Sequence, residues 1–260
     1  MGTRVLIVVL FVLSVLTSSA LTYLLISKTN VSGNNSTASA SDDIGEQVAK
    51  FIQENPNVII DSLRRAQQAR AEQEEQQAGL KAAELRPQLE NGKNDPTAGN
   101  KEGDVTIVAF HDHNCGFCRK SIPDIEKILS EDSNVKFVVK DFPILGPVSV
   151  EKARASVAIA RFAPEKWYKF YEELGRSNAQ NLEQILALAS EKVGIDANLL
   201  RSEMESNETE NKISENHSLG EQLGISGTPV FVINGQVLRG ALGYDAFKAA
   251  VLQARADLKK

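Results

Sequence analysis

The sequence predicts an α/β domain of order strand–helix–strand, helical insertion, hairpin–helix, preceded by an N-terminal helical region. Three observations carry this expectation. A compact apolar run at residues 104–110 has the character of a buried strand and leads into a helical pattern. Residues 149–224 then repeat apolar positions at helical spacing. Finally, two short apolar runs, 229–233 and 236–239, flank Asn234-Gly235, a pair that favours a two-residue hairpin turn.

At 260 residues the chain can hold one domain with a sizeable core plus an appendage. Its 29 basic and 34 acidic residues leave a net charge of -5, so no global cationic surface points to nucleic acid or anionic lipid. With 3 histidines and 2 cysteines, no second Cys or His pair completes a four-ligand zinc site. Neither a metal nor another cofactor is expected.

After Arg4, residues 5–26 are uncharged and mostly apolar, long enough to span a bilayer as a helix. Ser18-Ser19-Ala20 offers a signal-peptide cleavage site, but apolar residues continue to Ile26, which favours an uncleaved anchor. Residues 1–28 are therefore read as a signal anchor or signal peptide, with a released form if cleavage occurs near Ala20. Either version sends the remainder out of the cytosol. Residues 29–41, rich in Ser, Asn and Thr, read as a flexible linker. Asn30, Asn34, Asn35, Asn207 and Asn216 lie in glycosylation-like triplets, which matter only in a eukaryotic secretory pathway.

Residues 42–90 read as helical. Ile44, Val48, Phe51 and Ile52 form one narrow stripe, and Val58, Ile59, Ile60 and Leu63 a second patch after Asn55-Pro56. Residues 64–84 are strong in helix formers but poor in anything to bury. Two single-striped helices cannot make a core, so they must pack on the domain that follows or on copies of themselves, and self-association is favoured over a solvated spacer. Residues 91–102, with two Gly and Pro96, read as a linker into the domain at 103–260.

Within that domain the first strand ends at His111-Asp112-His113-Asn114 and the motif Cys115-Gly116-Phe117-Cys118. Ile122, Ile125, Ile128 and Leu129 follow at helical spacing, which sets Cys115 at a strand-to-helix junction. Free backbone N–H groups and the helix dipole would stabilise a thiolate there. A two-residue gap lets Cys118 reach Cys115 across one helical turn, so Cys115 would form a mixed disulfide and the more shielded Cys118 would resolve it. His113 could support the thiolate when protonated, or could be a solvated loop histidine. A second strand is expected at 134–141, and Trp167, Tyr168, Phe170 and Tyr171 are expected in the core of the insertion. Gly227-Thr228-Pro229 precedes the third strand, and a cis Thr228–Pro229 bond would turn the polar backbone of Thr228 toward the sulfurs.

The ordered set Phe110-His-Asp-His-Asn-Cys-Gly-Phe-Cys118, Asp141-Phe-Pro-Ile-Leu-Gly146 and Gly227-Thr-Pro-Val-Phe231 resembles the DsbA-like thioredoxin-fold family. The likeness is to its branch of Com-type and ScsC-type bacterial extracytoplasmic disulfide oxidoreductases. The resemblance implies a thioredoxin fold with an inserted helical subdomain, preceded by an N-terminal helical oligomerisation segment. It also implies a homodimer or homotrimer at the periplasmic or extracytoplasmic face of a bacterial membrane. Exported proteins with thiols or disulfides would be its substrates, Thr228 and Pro229 would bind them, and a membrane redox protein would be its partner. Helical N-terminal extensions in this family go with isomerisation, so the leading expectation is a protein disulfide isomerase; the alternative is a dithiol oxidase. Gly116 and Phe117 modulate the site and stand where the well-known periplasmic oxidase has Pro-His, which makes a strongly oxidising potential less assured. The resemblance identifies no buried acid beneath the cysteines. A Cu(I)-binding role for the two thiolates is a third, different reading.

Overall fold

The computed structural model describes residues 36–258, with side chains from Asp43 onward. The anchor and cleavage readings, most of the 29–41 linker, and Asn30, Asn34 and Asn35 lie outside the described residues. No described helix is long and apolar enough to cross a membrane. The chain divides into two units, one ending at Gln67 and one beginning at Gln68.

The first unit holds helix α1 (Ser36–Glu54) and the start of α2 (Asn57–Glu84), separated at Asn55-Pro56. Helix α1 begins inside the stretch read as linker. Short polar residues cost only a few tenths of a kcal/mol each in a helix, and extending a formed helix is easier than nucleating one. Ile44, Val48, Phe51, Val58, Ile59, Ile60 and Leu63 are all exposed, from 42% to 61%. The two apolar patches are thus present and uncovered by their own unit.

The second unit carries the rest of α2, whose Ala78 and Ala82 are buried, followed by α3 (Arg86–Asn91) with buried Leu89. The stretch 64–84, read as poor in anything to bury, buries Ala78 and Ala82, which with Leu85 and Leu89 beyond it pack with Val108, Phe110, Val138 and Val232 against one sheet face. Alanine is a strong helix former that also allows close backbone approach, so its burial leaves no apolar stripe to read.

The sheet has order β1-β3-β2-β4-β5, with β1 at Thr97–Gly99, β2 at Val105–His111, β3 at Val135–Asp141, β4 at Val230–Ile233 and β5 at Gln236–Arg239. Strands β2 and β3 are parallel, and the other neighbours are antiparallel. Strand β1 corrects the reading of 91–102 as linker; its three residues pair with β3 through Thr97, Ala98 and Gly99. Ile107, Ala109, Phe137, Val139, Phe231 and Ile233 enter the larger core on one face, whereas Val108, Phe110, Val138, Val230 and Val232 enter the smaller core on the other. Both faces are covered, which is why the strands read as continuous apolar runs. Asn234 and Gly235 have φ of 49° and 82°, as a tight hairpin turn of mirrored type requires.

Helix α4 (Gly116–Glu131) follows β2, and five helices fill the gap between β3 and β4. They are α5 (Pro147–Phe162), α6 (Pro164–Arg176), α7 (Leu182–Leu188, continued by a π-helical turn Ala189–Val193), α8 (Ala197–Met204) and α9 (Asn207–Gln222). Trp167, Phe170 and Tyr171 are core residues as expected. Helix α9 is capped by the Ser206 hydroxyl accepting from Thr209 N. Asn216 on α9 is fully buried and donates to the Asp141 carbonyl at 3.2 Å, which removes it as a glycosylation acceptor. Helix α10 (Tyr244–Asp257) closes the unit with Phe247 and Val251 inward.

Candidate active site

Cys115 caps the N-terminus of α4 with extended backbone (φ -75°, ψ 122°), and Cys118 lies in the first turn of that helix. Strand β2 delivers the chain to this point and the turn is closed by Cys115 N donating to the Asp112 carbonyl at 2.9 Å. Both cysteines are free thiols. The expected difference in shielding holds in order but not in degree: Cys118 is fully buried, and Cys115 retains only 7% exposure. Burial pushes the Cys118 thiol far up from its ordinary pKa, and hydrogen bonds with the Asp112 backbone and Thr228 offset only part of that.

Thr228 and Pro229, from the loop before β4, arrive at the same place. Their peptide bond is cis, and the Thr228 carbonyl accepts a hydrogen bond from Cys115 Sγ at 3.4 Å. Gly116 is exposed at the helix start, and Phe117 projects into solvent at 61% exposure with Lys120 Nζ 5.4 Å from its ring centre. Ile144 and Leu145, exposed residues of the loop after β3, add apolar surface to the same unit.

His113 departs from the solvated alternative. It is buried, and its Nε2 lies 2.6 Å from Oδ1 of the fully buried Asp141. The solvated alternative is therefore wrong. The register explains the pairing, because His111 sits opposite Asp141 across β2 and β3 and His113 leaves that strand end two residues later. Asp141 Oδ2 also accepts from Ser156, whose oxygen accepts from Trp167 Nε1. Burial pushes the Asp141 carboxyl above the usual range, opposed by its bonds to His113 and Ser156. The rings of His111, His113 and Tyr171 pack together in tilted and edge-on contacts with centres 4.7 to 5.9 Å apart. Burial holds His111 well below its ordinary pKa, hence neutral, and raises the Tyr171 hydroxyl, which also feels the charge of Cys118 and of Asp141. A buried acid thus exists on β3, and it reaches the cysteine turn through His113.

Asp112 escaped the sequence reading as well. Its carboxylate accepts from Asn114 N at 2.8 Å and from Ile144 N and Leu145 N at 2.8 and 3.0 Å, joining the cysteine turn to the loop after β3. Nothing in composition marks it; the only signal is its place in a polar run immediately after a buried strand. Among the described residues, no group of His, Cys, Asp and Glu is arranged to hold a metal ion.

A sequence profile described as thioredoxin matches residues 90–253. The chain is 35% identical to a thioredoxin-like oxidoreductase from Silicibacter pomeroyi DSS-3, with 66% of this chain and 98% of that one covered and a TM-score of 0.62. It is 22% identical over 169 residues to disulfide bond formation protein D of Bacillus subtilis, covering 61% of this chain and 76% of the relative. It is also 24% identical over 165 residues to a Na(+)/H(+) antiporter of Salinispora arenicola, and there it spans 25% of the relative's length.

Proposed function

The chain belongs to the thioredoxin family, and from that premise we propose a thiol–disulfide oxidoreductase of its DsbA- and ScsC-like extracytoplasmic branch, acting as a disulfide isomerase on exported proteins. One observation carries the activity: two free thiols at a helix N-terminus, one fully buried and one retaining access, beside the Thr228 carbonyl. In the proposed reaction the Cys115 thiolate attacks a substrate disulfide. A Cys115–substrate S–S bond forms, the substrate S–S bond breaks, and the freed substrate thiolate takes up a proton. Another substrate thiolate can then displace Cys115, leaving a rearranged disulfide with no net oxidation. If none does, Cys118 loses its proton and attacks Cys115, releasing reduced substrate and leaving the Cys115–Cys118 disulfide. The exposed Phe117, with Ile144 and Leu145, would receive apolar residues, and the Thr228 backbone an extended segment.

Isomerisation in preference to oxidation is supported by the uncovered apolar residues of the first unit, Ile44, Val48, Phe51, Val58–Ile60 and Leu63, which suit a homodimer or homotrimer. Several sites on one scaffold can hold a substrate through successive exchanges. A membrane protein would keep the dithiol reduced, and residues 1–28 would hold the enzyme at the membrane. The test is refolding of a scrambled multi-disulfide protein by the ectodomain from Ser27, beside oxidation of its reduced form, with mass measured on the same sample. Unscrambling by a multimer is the expected result. Oxidation without unscrambling would reassign the enzyme as an oxidase.

A further inference from the structure

We propose that Lys152 is a positioning residue for Cys115, acting through Asn114 and favouring the reduced state of the pair. The inference rests on Cys115 being the attacking sulfur. Lys152 lies on α5, 1% exposed, and its Nζ donates to Asn114 Oδ1 at 3.0 Å. Asn114 immediately precedes Cys115, and its backbone N–H is held by Asp112 at 2.8 Å. The turn that presents the sulfur is therefore gripped from both sides, by a buried carboxylate and by a buried ammonium.

An ammonium removed from water needs compensating charge or hydrogen bonds. Among the described residues, its one hydrogen bond goes to a neutral amide. The charged groups facing it are Asp112 from the cysteine turn and Arg119 from α4. The Asp112 oxygens are already engaged by three backbone N–H groups, and Arg119 is of like sign. On α5 and α9, Arg154 and Glu210 satisfy one another. Burial and Arg119 accordingly push the Lys152 pKa down, and Asp112 pushes it up. Asp112, shared with three backbone N–H groups, is the one carboxylate facing Lys152, and a negative sulfur one residue beyond Asn114 adds to that counter-charge. The thiolate arises both when Cys115 attacks and when it is displaced, so the cation weights the dithiol state against the disulfide.

The measurement is the equilibrium of the full ectodomain with glutathione: dithiol plus glutathione disulfide gives protein disulfide plus two glutathione thiols. An opposite charge nearby commonly favours an ionised form by one unit or more, so Lys152→Met should shift this equilibrium about tenfold toward the protein disulfide. It should also slow attack of Cys115 on glutathione disulfide at pH 7, in a Cys118→Ser background, by about threefold, because a more basic thiolate is the better nucleophile. Lys152→Arg, which keeps charge and donor, should restore most of both. A folded Lys152→Met protein within twofold of the parent in both readouts overturns the proposal. If that variant does not fold, Asn114→Ala decides: a shift of several fold supports the positioning chain, and none overturns it. A parent that exchanges no thiols would instead sink the oxidoreductase reading itself.

Discussion

Two thiols separated by two residues occupy different chemical environments here because one caps a helix and the other lies inside its first turn. Cys118 is fully buried with its thiol pushed far up, so at neutral pH it is protonated and shielded. Native protein treated with a thiol alkylator near pH 7.5 should take up one label, at Cys115; mass spectrometry showing equal labelling of Cys118 would refute that assignment. With Cys115→Ser exchange should cease, and with Cys118→Ser mixed disulfides should accumulate. The motif and the Thr-Pro loop were legible in the sequence because each is local: spacing and one neighbouring bond define them. Asp112, Asp141 and Lys152 were not. Asp112 grips a loop 32 residues away, His113 meets Asp141 across 28, and Lys152 reaches Asn114 across 38. Such partners become visible only once β2, β3 and α5 converge.

At the scale of elements, what the sequence concealed was short or weakly apolar. Strand β1 is three residues in a polar stretch, and its existence depends on the free edge of β3. The buried face of α2 is two alanines. The long elements, by contrast, announced themselves through periodicity, and the closing helix brings one electrostatic feature that periodicity cannot show. Arg255 on α10 forks onto Asp104 before β2 (2.6 and 2.7 Å) and onto Asp132 after α4 (2.8 and 3.2 Å). Both carboxyls are held below their ordinary range, chiefly by that guanidinium. Because the folded pKa values are depressed, the contribution is present above the unfolded value near 3.8 and is lost as pH falls through the folded values. Partly exposed pairs are screened, so Arg255→Met should cost about 1 kcal/mol at pH 7, lowering the melting temperature by roughly 2–4 °C for a domain of this size. At a pH below the folded values of both carboxyls the two proteins should melt together. A difference independent of pH would mean that the arginine acts through packing of its stem.

For the whole molecule, the question is where the N-terminal helical region ends and the thioredoxin domain begins. Sequence composition placed the boundary near residue 90, because residues 64–84 offered little apolar to bury. The second unit instead starts at Gln68 and uses Ala78, Ala82, Leu85 and Leu89 to cover Val108, Phe110, Val138 and Val232 on one sheet face. Two deletions should therefore behave differently. Removing residues 36–67 takes away the exposed stripes Ile44–Phe51 and Val58–Leu63 without touching that core. The shortened ectodomain should melt as the parent's second unit does and keep exchange with glutathione, while its mass falls to a monomer and its unscrambling activity is lost. Extending the cut through Glu84 uncovers the sheet face. The cut takes Ala78 and Ala82 with their helix from the cluster that contains Val108 and Val232, so this longer deletion should lower the melting temperature and increase aggregation. Calorimetry and light scattering on the two proteins separate the cases. Equal stability would return α2 to the appendage, and undiminished unscrambling by the monomer would show that the isomerase needs no scaffold.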